Sequence, residues 1–458
     1  MLSLLTVSII AVAYLYAITR PAWAVAVVLT MFATEQLLQA SSPVFRTHGS
    51  LANFIVGVVV LCALTKSFLV GTLRWKHWIT PAAVLTLLLY LYAGISWFWT
   101  ASPEWLAEYI RWTSPYILVT LGLAPLLVGG FKDLKDLRVA MLVIGTTVAV
   151  LIILSPGFEL VNGRYVVNVD NDSHTNPLAI GALGGMLVLL AVLGPSTEIL
   201  SGIISLRVVA FVAGLGLGFM SGSRGEVIAA IFFSLLFLPM ARRINNLGQF
   251  IGTATVAVIF VVGVYFIRGF FVGADNEDRW SSEGMLYGSL GRFENAADLA
   301  GHYFKRPIFW LTGLGSAAFH DLPTRSGDPY SHVIVADLIF ELGIPGIVLG
   351  TSIFALAASN SRRLFAMVMN DPPARALVAY LAAFTAYEFT LANKAGILWA
   401  QYDLFFGTVL LGRLFALQSD EQFVAESAFD GEDDADVEDE DQPLDAESAE
   451  PHAAPSTT

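Results

Sequence analysis

The chain has 458 residues, of which 56% are hydrophobic and 14% are charged, and its formal net charge is −13 at pH 7. The apolar residues come in runs of roughly 17 to 22, which is the length that crosses a bilayer as a helix. These runs lack a polar face over their full length, which argues against soluble cores. The single cysteine, Cys62, excludes a disulfide framework and a thiolate metal site.

The apolar runs predict an all-α fold, a polytopic transmembrane helical bundle of about 12–13 spans with one large extracytoplasmic loop. In chain order, thirteen predicted spans cover residues 2–19, 22–39, 51–65, 79–99, 114–130, 139–155, 177–194, 203–221, 225–241, 249–268, 333–357, 374–392 and 396–415. The predicted membrane domain is 1–418, and it includes the loop 270–332.

Lys and Arg in the short loops predict the orientation, because cytoplasmic loops carry an excess of them. One side collects 14 of the 25 basic residues: Arg20, Lys66, Arg74, Lys76, Lys132, Lys135, Arg138, Arg207, Arg242, Arg243, Arg362, Arg363, Arg375 and Arg413. The short loops of the other side hold Arg46, Arg111, Arg164, Arg224 and Lys394. We therefore predict that the first side is cytoplasmic and that the loop 270–332 is outside.

The negative net charge comes from the C-terminal residues 419–458, which contain fifteen Asp or Glu and no Lys or Arg. Self-repulsion and low hydrophobicity predict that this segment is a disordered, acidic cytoplasmic tail. A solvated tail is the simpler interpretation, and a regulatory segment is the alternative.

Three residues at the predicted outer face could carry chemistry: Arg224, Arg292 and His332. Arginine suits phosphate because its planar fork donates two parallel hydrogen bonds and keeps its charge. Arg224 is predicted to begin a helix after a glycine-flanked turn, so free N–H groups would add to the same anion site. The alternative for Arg224 is a side chain that reaches lipid headgroups.

His332 stands where the long polar segment meets the next span. A neutral imidazole there could remove a proton from a sugar hydroxyl or donate a hydrogen bond to a leaving phosphate. A capping or packing histidine is the alternative.

Other polar groups suggest less specific roles. Asp170 and Asp172 fit an acid-x-acid metal pattern, but no other ligand set accompanies them, so no metal is predicted. Glu35, Glu388, Lys394 and Asp403 fall within or at the ends of spans, where transporters hold coupling ions. The motif Gly214-x-Gly216-x-Gly218 lies in a span, and close helix packing explains it.

With these residues in view, the chain resembles the O-antigen ligase and polymerase family of bacterial envelope glycosyltransferases between about residues 90 and 350. It departs from the family pattern at Val333, at Asn295 and in a longer stretch from Pro307 to Gly313. The segments that match are Ser96–Pro103, Gly163-Arg164 with Asn176–Ala179, Ser223–Gly225, Gly291-Arg292, Phe304–Pro307, Gly313–Gly315, and His332 with Glu341–Gly346.

The resemblance implies a metal-independent transfer of a glycan, without a cofactor, from an undecaprenyl-diphosphate carrier to an acceptor hydroxyl at the periplasmic face of a bacterial inner membrane. Under it, Arg224 and Arg292 bind the donor diphosphate and His332 is the catalytic base or a phosphate partner. Arg164, Asn176 and Tyr330 are further candidates for the same cavity. The implied partners are the lipid-linked donor, a glycan or lipid acceptor, the bilayer and other polysaccharide assembly proteins, and no nucleic acid.

The acceptor divides this family into polymerases, ligases that use lipid A-core, and enzymes that glycosylate proteins. We expect a polymerase, because only an acidic tail follows the last predicted span. A ligase is the alternative within the family. A flippase or solute transporter is the alternative from another class, since polytopic composition is common to all of them.

Overall fold

The computed structural model of the protein describes residues 2–168, 175–195, 203–242, 244, 246–272, 280, 282–323 and 330–433. The helices are α1 (Leu2–Thr19), α2 (Pro21–Leu29), α3 (Met31–Ser41), α4 (Pro43–Thr47), α5 (Ser50–Leu69), α6 (Pro81–Ile95), α7 (Pro103–Ile117), α8 (Phe131–Leu154), α9 (Leu178–Val192), α10 (Ile203–Met220), α11 (Arg224–Ala241), α12 (Leu247–Phe271), α13 (Ser282–Tyr303), α14 (Pro307–Thr312), α15 (Ile334–Ala336), α16 (Gly343–Met367), α17 (Pro372–Ala395) and α18 (Tyr402–Asp433).

Shorter elements connect these helices. One antiparallel hairpin, β1 (Glu159–Val161) and β2 (Arg164–Val166), follows α8 and pairs Val161 with Arg164. The π-helical turns are Leu118–Leu123 and Asp337–Glu341, and the 3₁₀ turns are Trp75–His77, Ser96–Phe98, Ala124–Leu127, Ala318–Asp321 and Leu398–Ala400.

The protein is an all-α, multi-pass membrane bundle, as its composition predicts. In the described part of the chain, six helices are long and apolar enough to cross a bilayer: α5, α6 with its continuation to Phe98, α8, α11, α12 and α16. The pair α2 and α3 makes a seventh span if it is counted as one, and α1, α9 and α10 are apolar but shorter. Among the described residues, six or seven spans therefore meet this length and composition, against the 12–13 expected from the apolar runs.

The predicted span 22–39 is bent, and its two halves meet at 69°. Thr30 lies at the break, and its hydroxyl donates to the carbonyl oxygen of Ala26 at 2.9 Å. A threonine that bonds back to the preceding turn competes with the helical ladder and often bends a helix.

The predicted span 114–130 is also not one helix. α7 ends at Ile117, and a π-helical turn and a 3₁₀ turn follow it to Leu127. Pro115 and Pro125 lie inside this segment, and each removes a backbone N–H from the ladder. An apolar run long enough to span the membrane therefore need not be a single helix.

The predicted polar loop 270–332 contains two helices, α13 and α14, in its described part. Residues 273–279 and 324–329 lie outside the described residues. The segment is therefore largely helical where it is described.

α18 continues past the predicted tail boundary at residue 418 and ends at Asp433. Glu421 Oε1 lies 2.7 Å from Arg74 Nη1, and Asp420 Oδ2 lies 3.2 Å from His77 Nε2. The first two acidic residues after the predicted boundary, Asp420 and Glu421, thus lie in α18 and have basic partners on the connection before α6. Residues 434–458 lie outside the described part.

Close glycine contacts join α9 to α10 in the core. A Cβ on Gly184 would lie 2.5 Å from the carbonyl oxygen of Gly214, and one on Gly214 would lie 2.7 Å from that of Gly184. Neither position has room for a side chain. This confirms the packing interpretation of the Gly214-x-Gly216-x-Gly218 motif.

Candidate anion-binding site at one end of the bundle

The turn between α10 and α11 positions the first candidate residue. Gly222 adopts a positive φ of 65° there, which is a conformation that glycine tolerates without strain. The Ser221 hydroxyl donates to the Gly218 carbonyl at 3.0 Å and accepts from the Ser223 N–H at 3.3 Å. Arg224 is the first residue of α11, as the sequence predicts. The positive end of that helix therefore adds to the charge of its guanidinium.

Glu226, which lies in the first turn of α11, forms an ion pair with Lys394 at the end of α17. Glu226 is buried, so its charge is compensated by this lysine and not by water. The stem of Lys394 crosses Gly225 closely, since a Cβ on that glycine would lie 2.4 Å from Lys394 Cδ. The glycine of Ser223-Arg224-Gly225 thus leaves room for the stem of Lys394 on its way to Glu226.

Arg292 of α13 belongs to the same group of charges. Burial lowers the pKa of Arg292, attraction to Glu226 opposes this shift, and repulsion from Arg224 adds to it. An arginine remains charged despite such a shift. α13 therefore brings a cation from the long segment 270–332 to the start of α11.

Arg164 of β2 completes the cluster. It interacts electrostatically with Arg224 and with Lys394, and Arg292 also repels Lys394. Four cationic side chains from four different elements therefore interact electrostatically near the start of α11, and two of them, Arg292 and Lys394, also interact with the buried carboxylate of Glu226. We call Arg164, Arg224, Arg292 and Lys394 the cationic cluster.

The cationic cluster joins two predicted phosphate-binding residues, Arg224 and Arg292, with the further candidate Arg164. Lys394 was not predicted as part of the site. The signal for it was present, because a lysine at the end of an apolar span is costly and usually has a partner. The sequence does not indicate which of several acidic residues that partner is.

Asn176 has a structural role in its immediate surroundings. Its side-chain oxygen accepts from the Leu178 N–H at 3.0 Å at the start of α9, and its carbonyl oxygen accepts from Gln36 Nε2 at 2.7 Å. The residue thus supports the turn before α9 and ties it to α3.

His332 and Tyr330 lie together at the end of the long segment. Their ring centroids are 4.1 Å apart, and His332 has a left-handed backbone with φ of 63°. Such a conformation is uncommon outside glycine and persists when its surroundings hold it. Three residues later, the Val335 N–H donates to Asn393 Oδ1 at 3.3 Å. Because Asn393 precedes Lys394, the end of α17 joins the His332 turn to the cationic cluster.

Two of the segments that resemble the glycosyltransferase family, Gly313–Gly315 and Glu341–Gly346, are joined by backbone hydrogen bonds. The N–H groups of Leu314 and Gly315 donate to the carbonyls of Phe340 and Glu341 at 2.9 and 2.8 Å. A Cβ on Gly313 would lie 2.0 Å from the carbonyl oxygen of Glu341. The glycines of both motifs thus allow the close contact that holds the end of the long segment in place.

The Ser96–Pro103 segment docks on this same contact. The Ser316 N–H donates to Ser96 Oγ at 2.8 Å, and the Thr100 hydroxyl donates to the Ser316 carbonyl at 2.8 Å. Three separate motifs of the sequence are therefore held together by hydrogen bonds.

The remaining acidic candidates have other interactions in the described part of the chain. Glu388 is buried and interacts electrostatically with Asp403 and Glu226, and Glu35 accepts a hydrogen bond from Asn53 Nδ2 at 2.8 Å. Asp170 and Asp172 lie outside the described residues.

Comparisons of the chain with protein-family models and with curated proteins find no match.

Proposed function

We propose that this protein transfers a glycan from a polyprenyl-diphosphate carrier to a hydroxyl group of an acceptor at the outer face of the membrane. The proposed acceptor is a growing glycan, which makes the protein a polysaccharide polymerase. The observation that carries the proposal is that four cationic side chains from four elements interact electrostatically near the start of α11.

The cationic cluster suits a diphosphate because its members repel one another. Arg224 repels Arg164, and Arg292 repels both Arg224 and Lys394. An anion of two or more charges bound among them would relieve this repulsion. Guanidinium groups and the N–H groups of the first turn of α11 can both donate hydrogen bonds to phosphate oxygens.

In the proposed reaction, the acceptor hydroxyl oxygen attacks the anomeric carbon of the donor sugar. The new glycosidic bond forms as the bond from that carbon to the diphosphate oxygen breaks, and the electron pair leaves with the diphosphate. His332 accepts the hydroxyl proton, and the cationic cluster stabilises the charge that develops on the leaving group. The protein residues supply this chemistry by position and charge.

A transfer assay with purified protein tests the proposal. A synthetic polyprenyl-diphosphate oligosaccharide is incubated with the protein, and the released carrier diphosphate and the products are separated by mass. We expect carrier diphosphate together with a carrier-linked oligosaccharide of doubled length. A ligase would leave the donor unextended until a lipid A-core or protein acceptor is added. Movement of intact donor across liposomes without carrier release would instead identify a flippase and contradict the proposal.

A further inference from the structure

We infer that Asp337 is a positioning residue that holds the His332 turn in its active conformation. The inference rests on the proposed function, since it concerns the residue assigned there to proton transfer. It is carried by the hydrogen bonds that the Asp337 carboxylate makes with two separate segments of the chain.

One oxygen of Asp337 holds the residue next to His332. The Ser331 hydroxyl donates to Asp337 Oδ1, and the same hydroxyl oxygen accepts from the Val333 N–H at 3.1 Å. Ser331 and Asp337 are both buried, at 1% and 3% exposure. The residues on either side of His332 are thus tied to one buried carboxylate.

The other oxygen holds the connection between α17 and α18. Asp337 Oδ2 accepts from the Leu398 N–H at 3.2 Å, four residues beyond Lys394 of the cationic cluster. Together with the bond from Val335 to Asn393, this fixes the His332 turn against the end of α17. Asp337 therefore couples the histidine to the element that carries part of the cationic cluster.

The local backbone requires such support. His332 is held at a φ of 63°, and Asp337 begins the π-helical turn Asp337–Glu341. π-helical turns are rare and are often found at functional sites. A non-glycine residue with a left-handed backbone is strained, and the surrounding contacts must offset that strain.

The side chain of Asp337 also lines a small cavity together with Tyr109, Tyr330, Glu341 and Trp399. Its walls bring Tyr330, the ring partner of His332, beside the buried carboxylates. A change at Asp337 is therefore expected to reach the histidine through Ser331 and through Tyr330.

The test compares Ser331→Ala and Asp337→Asn with Ser331→Thr, which keeps the hydroxyl. Ser67→Ala is the matched control, because Ser67 is a buried serine whose hydroxyl bonds a backbone carbonyl of α5. Two quantities are measured on purified protein. The first is the rate at which diethyl pyrocarbonate modifies His332, determined by mass spectrometry with His302 as the internal reference. The second is kcat and KM for the lipid-linked donor.

We expect Ser331→Ala and Asp337→Asn to increase the modification rate of His332 several-fold, because the turn is no longer held. We expect kcat to fall about 10- to 100-fold, since a displacement of about 1 Å has effects of that size, while KM stays within about two-fold. Ser331→Thr should retain most of the activity, and Ser67→Ala should match the wild type in both measurements.

Unchanged His332 modification in both Ser331→Ala and Asp337→Asn overturns the inference, as does a raised KM at full kcat. The modification rate does not depend on catalysis, so the two proposals fail separately. A further outcome is that the modification rate changes in Ser331→Ala and Asp337→Asn while His332→Gln keeps full turnover. That result would keep Asp337 as the support of this turn and remove the histidine from the proposed reaction.

Discussion

At the scale of single residues, the site depends on charges that the fold forces together. Arg224 and Arg292 are 68 positions apart in sequence, yet their guanidinium groups interact. Repulsion between them opposes folding, and such a cost is expected where an anionic ligand later compensates it. The proposed diphosphate would offset this repulsion.

The first prediction concerns the geometry of this anion site. Lysine keeps the charge but loses the bidentate fork, so Arg224→Lys and Arg292→Lys should each reduce kcat, and alanine should reduce it on the order of 100-fold or more. The measurement is carrier diphosphate release by purified protein. Arg268→Ala, at the end of α12, is the control that removes a cation from the chain outside the cluster. Wild-type rates in both alanine variants would assign the two arginines to lipid contact.

The second prediction concerns His332. If the imidazole accepts the acceptor proton, His332→Gln should lose most of the turnover and the acidic limb of the pH–rate profile, while the protein stays folded. Rates of carrier release between pH 5 and 9, with melting temperature measured on the same samples, check both points. A variant with full turnover and an unchanged profile would exclude proton transfer by this residue.

At the scale of elements, helices meet through contacts that only particular residues allow. α9 and α10 approach until the backbone of Gly184 touches that of Gly214, and α11 and α17 join through Glu226 and Lys394. The first contact depends on the absence of a side chain and the second on two opposite charges. We therefore predict the effect on protein stability of disrupting each contact separately.

The third prediction is that Gly184→Leu destabilises the protein. The new side chain would meet the carbonyl of Gly214 at 2.5 Å, and overpacking of this kind costs about 1–3 kcal/mol or more. Gly252→Leu on α12 is the matched control, because a Cβ there meets nothing within 4 Å. Melting temperatures in detergent should fall for the first variant and stay the same for the second. Equal melting temperatures would show that α9 and α10 pack less closely.

The fourth prediction concerns the ion pair between α11 and α17. Lys394→Met leaves the buried Glu226 carboxylate without its partner, and breaking a buried pair costs about 3–5 kcal/mol. The double variant Glu226→Gln with Lys394→Met should recover much of this loss, because no isolated charge remains. A double-mutant cycle on melting temperature measures the coupling. Additive effects of the two changes would contradict a direct pair.

At the scale of the whole molecule, the contacts group the basic residues as the orientation rule does. Arg74 and Arg413, both predicted to be cytoplasmic, lie together, since Arg413 Nη2 donates to the Arg74 carbonyl at 3.1 Å. Arg164, Arg224 and Lys394, all predicted to be on the other side, meet in the cationic cluster. The contacts of these five residues thus group them as the prediction does, and the side of the membrane on which each group lies stays a prediction.

The fifth prediction is the orientation itself. In a Cys62→Ala background, which removes the exposed native thiol, a cysteine placed at Ser326 should react with a membrane-impermeant maleimide in intact cells. A cysteine at Ser427 should react only after the membrane is permeabilised. The reverse labelling pattern would show that the orientation in the membrane is inverted, with the cationic cluster on the cytoplasmic side.

The sequence by itself determined the class of the fold, because long apolar runs leave a helical membrane bundle as the solution that satisfies backbone hydrogen bonds in lipid. It also predicted Arg224 and Arg292 as phosphate partners, since a guanidinium group at the predicted outer face suits an anion. Tertiary structure decided the rest. The bend at Thr30, the broken segment after Ile117 and the helix through Glu421 depend on hydrogen bonds and ion pairs that hydropathy does not register. The roles of Lys394 and Asp337 depend on partners 168 and 61 residues away, and only the packed helices bring such partners together.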